Sequence, residues 1–300
     1  MGAVRVGFIG IGVMGRPMCL NLLKAGFPLT VYARRPESAA AVVAAGAVPA
    51  ESPRAVAERS DVVITMVTSS PDVEEVVLGD TGVLAGAHSG LTLADMSTIA
   101  PAVARKVASA AAERGVDMLD APVSGGSQGA EAGALTIMAG GDAAAFERVR
   151  PVFEAMGKKE NIFHVGPSGS GQVVKLINQH LCGVIAAADA EALILGVKAG
   201  ADVGTMTKII GASSGGNWQL ANPIPLRVFS GSFEPGFFTD LLLKDLRLVL
   251  ELAREQGLAT PLLEQVLPLY ERAKAAGNGR RDYTSVFMPL EEDAGVEVRA

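Results

Sequence analysis

Hydrophobic positions repeat with two different periods along the chain. In the first half, short β-branched runs alternate with alanine-rich stretches at helical spacing, an order typical of βαβ units that build a parallel sheet. Gly26 and Gly46 follow helical runs where a C-terminal cap belongs, and Ser52-Pro53 has the composition of a helix start. Strands are predicted over residues 4–9, 28–32, 62–67, 91–96, 117–121, 135–139 and 162–165.

The second half is predicted to be all-helical. The β pattern ends near Gly166, and residues 172–200 form one long, mostly apolar helical stretch. Because a helix that is apolar on nearly every side must be covered all round, this stretch is predicted to be the spine of a second domain and of a homodimer or homotetramer. Residues 238–256 and 261–276 also carry apolar side chains at helical spacing, whereas the tail after Asp282 is weakly patterned and is predicted to be loosely ordered.

These patterns predict an α/β fold in two domains, with a doubly wound parallel sheet over residues 1–166 and an all-helical domain over residues 167–300. The chain is 49% hydrophobic, but its uninterrupted apolar runs are shorter than the roughly 20 residues that cross a bilayer, so no membrane association is predicted. Met1 leads directly into a strand-like segment, which favours a cytoplasmic location. A net charge of −6 without a long basic run argues against nucleic acid as a partner.

The cysteines and histidines lack the spacing of a disulfide framework or a metal centre. Cys19 and Cys182 each lie in a helix-like apolar stretch and are predicted to be buried thiols. The three histidines are scattered along the chain, so no metal is predicted. Trp218 is predicted to be a packing residue, with a contact to a cleft or a partner subunit as the alternative.

A glycine-rich segment, Gly10-Ile11-Gly12-Val13-Met14-Gly15, directly follows the first predicted strand and opens a helix. In this context the first glycine permits a tight turn, the second lets the backbone approach a pyrophosphate, and the third lets helix and strand pack closely. The alternative is a plain strand-to-helix turn, but the βαβ unit that follows favours a Rossmann domain that binds a dinucleotide.

The end of the second predicted strand bears on which dinucleotide is bound. An NAD site has an acidic residue about 20 positions after the glycines, where it bonds the ribose 2′-hydroxyl. Here the strand is followed by Ala33, Arg34 and Arg35. Since guanidinium groups suit a 2′-phosphate, NADP(H) is the predicted cofactor and NAD(H) the alternative; solvated surface arginines remain a competing interpretation for one of the pair.

Polar groups also follow later strands. Ser97 and Thr98 come after one predicted strand and Ser124-Gly125-Gly126 after the next, and in an open α/β sheet ligands bind at these carboxyl ends. The Ser-Gly-Gly segment is consistent both with backbone N–H groups that hold a carboxylate and with an ordinary turn.

Lys175 lies near the start of the long apolar helix, with Asn178 three residues on and on the same helical face. A lysine that snorkels out of the helix is the alternative to a functional amine, and the surrounding motif favours function.

Four motifs are spread over almost the whole chain. They are Gly10-x-Gly12-x-x-Gly15-x-Pro17-Met18-x-x-Asn21-Leu22, Asp120-Ala121-Pro122-Val123-Ser124-Gly125-Gly126, Gly171-x-x-x-Lys175-Leu176-x-Asn178 and Lys244-Asp245-Leu246. The set resembles the signatures of the β-hydroxyacid dehydrogenases, a family that includes 3-hydroxyisobutyrate dehydrogenase and tartronate semialdehyde reductase. It is specific for the family but does not separate its members. Relatives commonly have a second asparagine where this chain has Gln179, a departure that bears on substrate identity more than on chemistry.

The resemblance implies roles for particular residues. The implied catalytic residues are Lys175, as acid and base, and Asn178, which also holds the substrate. Residues implied to bind a small carboxylated substrate further include Ser124, Gly125, Gly126 and Gln179. The resemblance also implies that Thr98 and Lys244 contact the cofactor or close over the cleft, and that Met66, Val67 and Pro71 lie near its adenosine or pyrophosphate side. Ser97 is predicted to bind the cofactor because it follows a predicted strand.

The predicted activity is hydride transfer between NADP(H) and a small β-hydroxyacid or semialdehyde, of the 3-hydroxyisobutyrate, tartronate semialdehyde or succinic semialdehyde type. An imine reductase is one alternative. Imine reductases look similar across this architecture but usually carry an aspartate or a tyrosine where this chain has Lys175, so the lysine argues against them. A 6-phosphogluconate dehydrogenase is disfavoured by the short helical region and by the lack of a histidine beside Lys175. A non-catalytic NADP-binding scaffold is the remaining alternative, because a fold alone does not determine function.

Overall fold

The computed structural model describes residues 4–300, which form two compact units. Unit 1 ends at Lys175 and unit 2 begins at Leu176. This division falls inside a long helix, whereas the sequence pattern puts a domain boundary between residues 166 and 167.

Unit 1 is built on a nine-stranded sheet. Its strands are β1 (Val6–Ile9), β2 (Leu29–Tyr32), β3 (Val48–Pro49), β4 (Val62–Thr65), β5 (Thr92–Asp95), β6 (Asp117–Asp120), β7 (Val123–Ser124), β8 (Leu135–Gly140) and β9 (Gly157–Gly166). All seven strands predicted from the sequence are present, although five are shorter than predicted and β8 and β9 are longer. The two-residue strands β3 and β7 were not predicted, because so short a segment carries too few positions to show alternation.

The strand order is β3-β2-β1-β4-β5-β6-β8-β7, and β9 pairs with β8. The first six strands in this order are parallel, as predicted. Strand β8 runs antiparallel to β6 and β7 and parallel to β9. The hydrophobic pattern does not encode this reversal, because β8 buries both of its faces whichever way it runs.

Helices cover both faces of the sheet. Phe8 and Ile64 belong to one apolar core, and their chain neighbours Ile9 and Val63 belong to another, since successive strand residues point to opposite faces. The α-helices of unit 1 that precede residue 170 are α1 (Gly15–Lys24), α2 (Ala40–Ala44), α3 (Pro53–Ala57), α4 (Ser70–Leu78), α5 (Pro101–Ala112), α6 (Gly126–Glu131) and α7 (Ala143–Glu154). This arrangement confirms the predicted doubly wound fold.

The carboxyl ends of the parallel strands β1, β4, β5 and β6 lie at one edge of the sheet, which we call the carboxyl edge. The segments that follow these strands carry most of the predicted site residues of unit 1. The sheet therefore gathers residues that are as much as 115 positions apart, from Gly10 to Gly125, along one edge.

The predicted long helix is present as α8 (Ser170–Lys198). Contrary to expectation, it is long and apolar enough, by length and composition alone, to cross a membrane, and 39% of its most apolar window is buried. Polar residues such as Gln172 and Gln179 interrupt its apolar run, but the mean hydropathy stays high enough for a membrane-spanning helix. A helix that packs into a protein core meets the same criterion, so this feature is weak support for membrane insertion.

Unit 2 continues from α8 with helices only partly anticipated. They are α9 (Val203–Gly211), α10 (Trp218–Ala221), a π-helical segment (Pro225–Phe229), α11 (Thr239–Glu255), α12 (Pro261–Ala275), two 3₁₀ segments (Asn278–Arg280 and Tyr283–Val286) and α13 (Phe287–Ala294). The predicted bounds of α11 and α12 hold within one residue at each end. The core of unit 2 gathers buried residues from α8, α11, α12 and the C-terminal segment.

Two expectations about unit 2 were wrong. The tail after Asp282 is ordered, because Phe287 and Val298 are fully buried in the core of the unit. Acidic residues interrupt the apolar period of this segment, so its order comes from packing against the rest of unit 2 and not from a local helical pattern. Trp218 does not pack inside, since 68% of its surface is exposed.

Candidate active site

The glycine-rich segment has the geometry that a dinucleotide needs. Gly10 has φ +102°, and a Cβ there would lie 2.2 Å from the Met66 carbonyl oxygen; a Cβ on Gly15 would lie 2.0 Å from the Gly10 carbonyl oxygen. Both positions therefore exclude side chains for reasons of packing. A Cβ on Gly12 would instead meet no atom of the described residues within 4 Å. The space beside Gly12 suits a pyrophosphate at the amino end of α1.

The predicted adenosine side combines the end of β2 with the start of α4. Ala33 is half-buried, and Arg34 and Arg35 are exposed. The Arg34 Nη1 lies 3.7 Å from Oδ1 of Asp72, in the first turn of α4 beside Pro71. The structure thus brings Arg34 close to the start of α4, where Pro71 lies, and it adds the Asp72 carboxylate, which the sequence reasoning did not assign.

The segments after β4 and β5 are joined by a hydrogen bond. The Val67 backbone N–H donates to the Ser97 hydroxyl oxygen over 2.9 Å, and Ser97 is fully buried. Met66, Val67 and Thr98 are half-buried along the same edge. The Ser97 hydroxyl therefore supports the loop, and a direct cofactor contact by Ser97 stays a prediction.

Asp95 ends β5 and is fully buried beside Asp120, its register partner on β6. Its Oδ1 accepts hydrogen bonds from the Thr65 hydroxyl (2.7 Å) and the Ser97 N–H (3.2 Å), while Oδ2 has no hydrogen-bond partner within residues 4–300. Burial raises the pKa of Asp95 to about 6, the two hydrogen bonds oppose this rise, and the charge of Asp120 adds to it. A proton on Asp95 reduces the cost of an ionised Asp120 next to it.

Asp95→Asn is expected to weaken the pH dependence of thermal stability. Because folding raises this pKa, the native state keeps a proton that the unfolded chain has lost, so wild-type stability falls as the pH rises from 3.8 through about 6. Melting temperatures from about pH 4.5 to 8 should fall less steeply in D95N than in the wild type. Asp202→Asn is the control: the Thr205 N–H lowers the pKa of that exposed carboxyl, which moves its titration below this window. Equal slopes in D95N and the wild type would refute the assignment.

Asp120 holds the start of α8 at the carboxyl edge. Its Oδ1 accepts from the Gly169 N–H (2.6 Å) and its Oδ2 from the Gln172 N–H (3.0 Å), which satisfies donors at the amino end of the helix. Burial raises the pKa of Asp120, and these backbone hydrogen bonds lower it. Lys175, one turn further along the helix, is buried, with 6% of its surface exposed. The candidate acid and base thus lies on a helix whose start is bonded to the end of β6.

Asn178 and Gln179, the next predicted residues of α8, belong to unit 2. Asn178 is exposed, and its amide nitrogen donates to the Gln179 Oε1 over 3.2 Å. Gln179 is buried and donates from Nε2 to Oδ2 of Asp245 over 2.7 Å, while Lys244 Nζ lies 2.8 Å from the Asp245 Oδ1. Asn178, Gln179 and Asp245 therefore form one hydrogen-bonded chain in which Gln179 orients the Asn178 amide, and Lys244 forms an ion pair with Asp245.

The Ser124-Gly125-Gly126 segment joins the end of β7 to the start of α6. Gly125 has φ +135° and Gly126 φ +61°, conformations that strain any other residue. Gly125 is exposed, and Ser124 and Gly126 are half-buried. The segment is thus accessible to a ligand, and the glycines are required by the backbone whether or not they also bind one.

His88 and His164 have ordinary backbone partners. His88 Nε2 lies 3.0 Å from the Ser60 carbonyl oxygen and His164 Nε2 lies 2.8 Å from that of Gly141. Cys19 is buried, as predicted, whereas Cys182 is only half-buried. In the part of the chain that the structure describes, no group of three or more His, Cys, Asp and Glu side chains is placed to hold a metal ion.

Sequence reasoning identified the glycines, Lys175 and the serine segment, but it assigned no role to Asp72, Asp95, Gln172 or Asp245. All four are polar residues in or beside apolar elements. The available signal was an aspartate near the end of each of two predicted apolar strands, Asp95 and Asp120, because such positions in a parallel sheet are normally apolar.

Known families cover nearly the whole chain. Residues 5–166 match the model for the NAD binding domain of 6-phosphogluconate dehydrogenase, and residues 169–290 match the model described as NAD-binding of NADP-dependent 3-hydroxyisobutyrate dehydrogenase. Among curated proteins, the chain is 42% identical to 2-(hydroxymethyl)glutarate dehydrogenase of Eubacterium barkeri, over 99% of this chain and 98% of that protein. It is 46% identical to the NAD-dependent L-serine dehydrogenase of Pseudomonas aeruginosa, over 94% and 96% of the two chains.

A solved structure gives the same result. The structure of Mycobacterium tuberculosis 3-hydroxyisobutyrate dehydrogenase with L-serine has a TM-score of 0.88 and 34% identity, covering 96% of this chain and 99% of that one. Both family models, the two relatives and this structure agree with the four sequence motifs. The chain belongs to the β-hydroxyacid dehydrogenase family of NAD(P)-dependent oxidoreductases.

Proposed function

We propose that this chain is an NADP(H)-preferring dehydrogenase that oxidises a small β-hydroxyacid to its semialdehyde and catalyses the reverse reduction, with Lys175 as acid and base. The observation that carries the proposal is the buried Lys175 in the first turns of a helix that Asp120 bonds to the carboxyl edge. A buried amine next to a dinucleotide-binding edge is suited to move a proton.

The residues of unit 1 fit a dinucleotide. Gly12 leaves open space at the start of α1, and Gly10 and Gly15 have no room for a side chain. When bound, the nicotinamide cofactor supplies or accepts the hydride. In reduction, the substrate C=O π bond breaks as a C–H bond forms, and the Lys175 ammonium donates the proton that completes the hydroxyl. In oxidation, the neutral Lys175 amine accepts that proton.

The relatives' names indicate a common substrate chemistry. 2-(Hydroxymethyl)glutarate, L-serine and 3-hydroxyisobutyrate each carry a hydroxymethyl group on the carbon next to a carboxylate. We therefore propose 2-substituted 3-hydroxypropionates as the substrate class. In unit 1, the accessible Ser124-Gly125-Gly126 segment is the group proposed to hold the carboxylate.

A substrate panel tests this proposal. 3-Hydroxypropionates with a hydrogen, methyl, amino, hydroxyl or carboxyethyl group at C2 are assayed with NADP and NAD in parallel, and lactate serves as the control because its hydroxyl lies on the carbon next to the carboxylate. Turnover of at least one 3-hydroxypropionate, with lactate inactive, is expected. Turnover of lactate alone, or of none of the 3-hydroxypropionates, would refute the proposal.

Cofactor preference is proposed from Arg34 and Arg35. The double variant R34Q/R35Q is expected to weaken NADP binding by about 10- to 100-fold and NAD binding by less than about threefold, because charge-assisted bonds to a 2′-phosphate are lost. Fluorescence titration of NADPH and NADH measures both affinities. Arg54→Gln, a surface change at an arginine paired with Glu58, is the matched control. Equal losses for both nucleotides, or none, would exclude these arginines as the determinant.

Asp72 is expected to disfavour NADP relative to NAD, the opposite of the effect proposed for Arg34 and Arg35. Its carboxylate lies 3.7 Å from Arg34 and would repel a 2′-phosphate more than a 2′-hydroxyl. Asp72→Asn should therefore raise the ratio of NADP to NAD affinity by about two- to fivefold in the same titration, an effect that surface screening keeps small. A lower ratio would mean that Asp72 instead orients Arg34 for the phosphate.

A further inference from the structure

Gln172 makes two buried hydrogen bonds through one side-chain amide. Its Nε2 donates to the Ser97 carbonyl oxygen over 2.9 Å, and its Oε1 accepts from the Ile99 N–H over 3.0 Å. The residue is fully buried. One side chain on α8 therefore satisfies a donor and an acceptor of the loop that follows β5, on both sides of Thr98.

The backbone of the same residue is bonded elsewhere. The Gln172 N–H donates to Asp120 Oδ2, and the Gly169 N–H donates to Asp120 Oδ1. Gln172 is thus connected to the end of β6 through its backbone and to the loop after β5 through its side chain. Four buried hydrogen bonds, all made by Gln172 or Asp120, therefore join the loop after β5, the end of β6 and the start of α8.

Lys175 follows Gln172 by three residues, which is close to one helical turn. We propose that Gln172 is a positioning residue that holds the Thr98 loop and the Lys175 amine in one fixed arrangement, so that hydride and proton reach the substrate together. This inference rests on the proposed function of Lys175. It adds a group that touches neither substrate nor cofactor.

The chemistry of the side chain explains why a glutamine is needed. Only an amide offers a donor to Ser97 and an acceptor to Ile99 at this reach. Methionine fills a similar volume without either bond, glutamate loses the donor and adds a charge beside Asp120, and asparagine is one carbon shorter. The loss of alignment is expected to lower the rate strongly, because displacements of about 1 Å at a reacting centre cost up to about 100-fold.

Gln172→Met is compared with Gln219→Met. Gln219, in unit 2, is also buried and bridges two groups: Nε2 donates to the Cys182 carbonyl oxygen (2.8 Å) and Oε1 accepts from the Tyr283 hydroxyl (3.0 Å). Both variants lose the two hydrogen bonds of a buried side-chain amide, so a general loss of stability affects them alike. Amide hydrogen exchange over residues 97–100 and 169–175, kcat, and the primary isotope effect with 4-deuterated NADPH are measured on the purified full chain.

Q172M is expected to exchange at least about 10-fold faster in both segments, to lose about 10- to 100-fold in kcat, and to show a larger isotope effect because hydride transfer becomes slower. Q219M should show none of these changes in the two segments or in the isotope effect. Unchanged exchange in Q172M, or faster exchange with the wild-type kcat and isotope effect, would overturn the inference. A wild-type enzyme without hydroxyacid turnover would defeat the proposed function instead, while hydrogen exchange would still decide whether Gln172 joins loop and helix.

Discussion

Replacement of Lys175 with methionine is expected to lower kcat by about 1,000-fold while NADPH affinity stays within about threefold of the wild type. General acid–base groups contribute about 100- to 10,000-fold to a rate, and methionine keeps the volume of the buried side chain without a proton to give. Lys175 is buried on α8, and the predicted nucleotide contacts of unit 1 lie on other segments. The variant should therefore lose turnover and keep its affinity for NADPH. Steady-state kinetics with a 3-hydroxypropionate and NADPH titration measure the two effects.

The same helix supplies the control for Lys175→Met. Lys198 lies at the other end of α8, where its Nζ donates to the Ala294 carbonyl oxygen on the surface, and K198M should keep the wild-type kcat. Lys175→Arg should not restore activity, because a guanidinium group does not release its proton in this pH range. If K175M kept more than about one tenth of the wild-type kcat, another group would have to be the acid and base.

Gly12→Ala is expected to weaken the binding of both NADPH and NADH by about 100-fold without loss of thermal stability. Gly12 does not have a positive φ, and its added Cβ would meet no atom of the described residues within 4 Å, so the fold accommodates it. The methyl group would instead occupy the space proposed for the pyrophosphate, where the backbone must approach closely. Isothermal titration calorimetry measures the nucleotide affinity, and melting curves measure the thermal stability.

Gly211→Ala is the matched control, because that glycine of α9 also has open space around its Cβ position. G211A should melt as high as the wild type and bind both nucleotides normally. Normal nucleotide binding by G12A would place the pyrophosphate elsewhere, and a large drop in its melting temperature would show that the space beside Gly12 is needed for folding.

The elements of this protein follow from local patterns. A βαβ order, the glycine-rich turn and the apolar stretch of α8 are encoded within windows of about 30 residues, and the predicted start of α8 differs from the observed one by two residues. Gly12 and Lys175, whose replacement is expected to lower nucleotide affinity and kcat most strongly, are residues that the sequence already singles out.

Long-range contacts explain most of what local patterns missed. The antiparallel direction of β8 and the ordered C-terminal segment depend on neighbours far along the chain. Trp218 is exposed although its residue type favours burial, since burial is decided by what packs against it. The buried Gln179 amide donates to Asp245, 66 residues away, a contact that no local pattern predicts.

The sequence by itself determined the two-part architecture, the dinucleotide turn and the identity of the candidate amine, because hydrophobic period and glycine spacing are local properties of a chain. The tertiary structure alone decided that Asp120 and Gln172 hold the start of α8, that Asp95 shares its burial with Asp120, and that Asp72 approaches Arg34. The reason is that such contacts depend on distance in space, and residues separated by 25 to 75 positions become neighbours only when the sheet has formed.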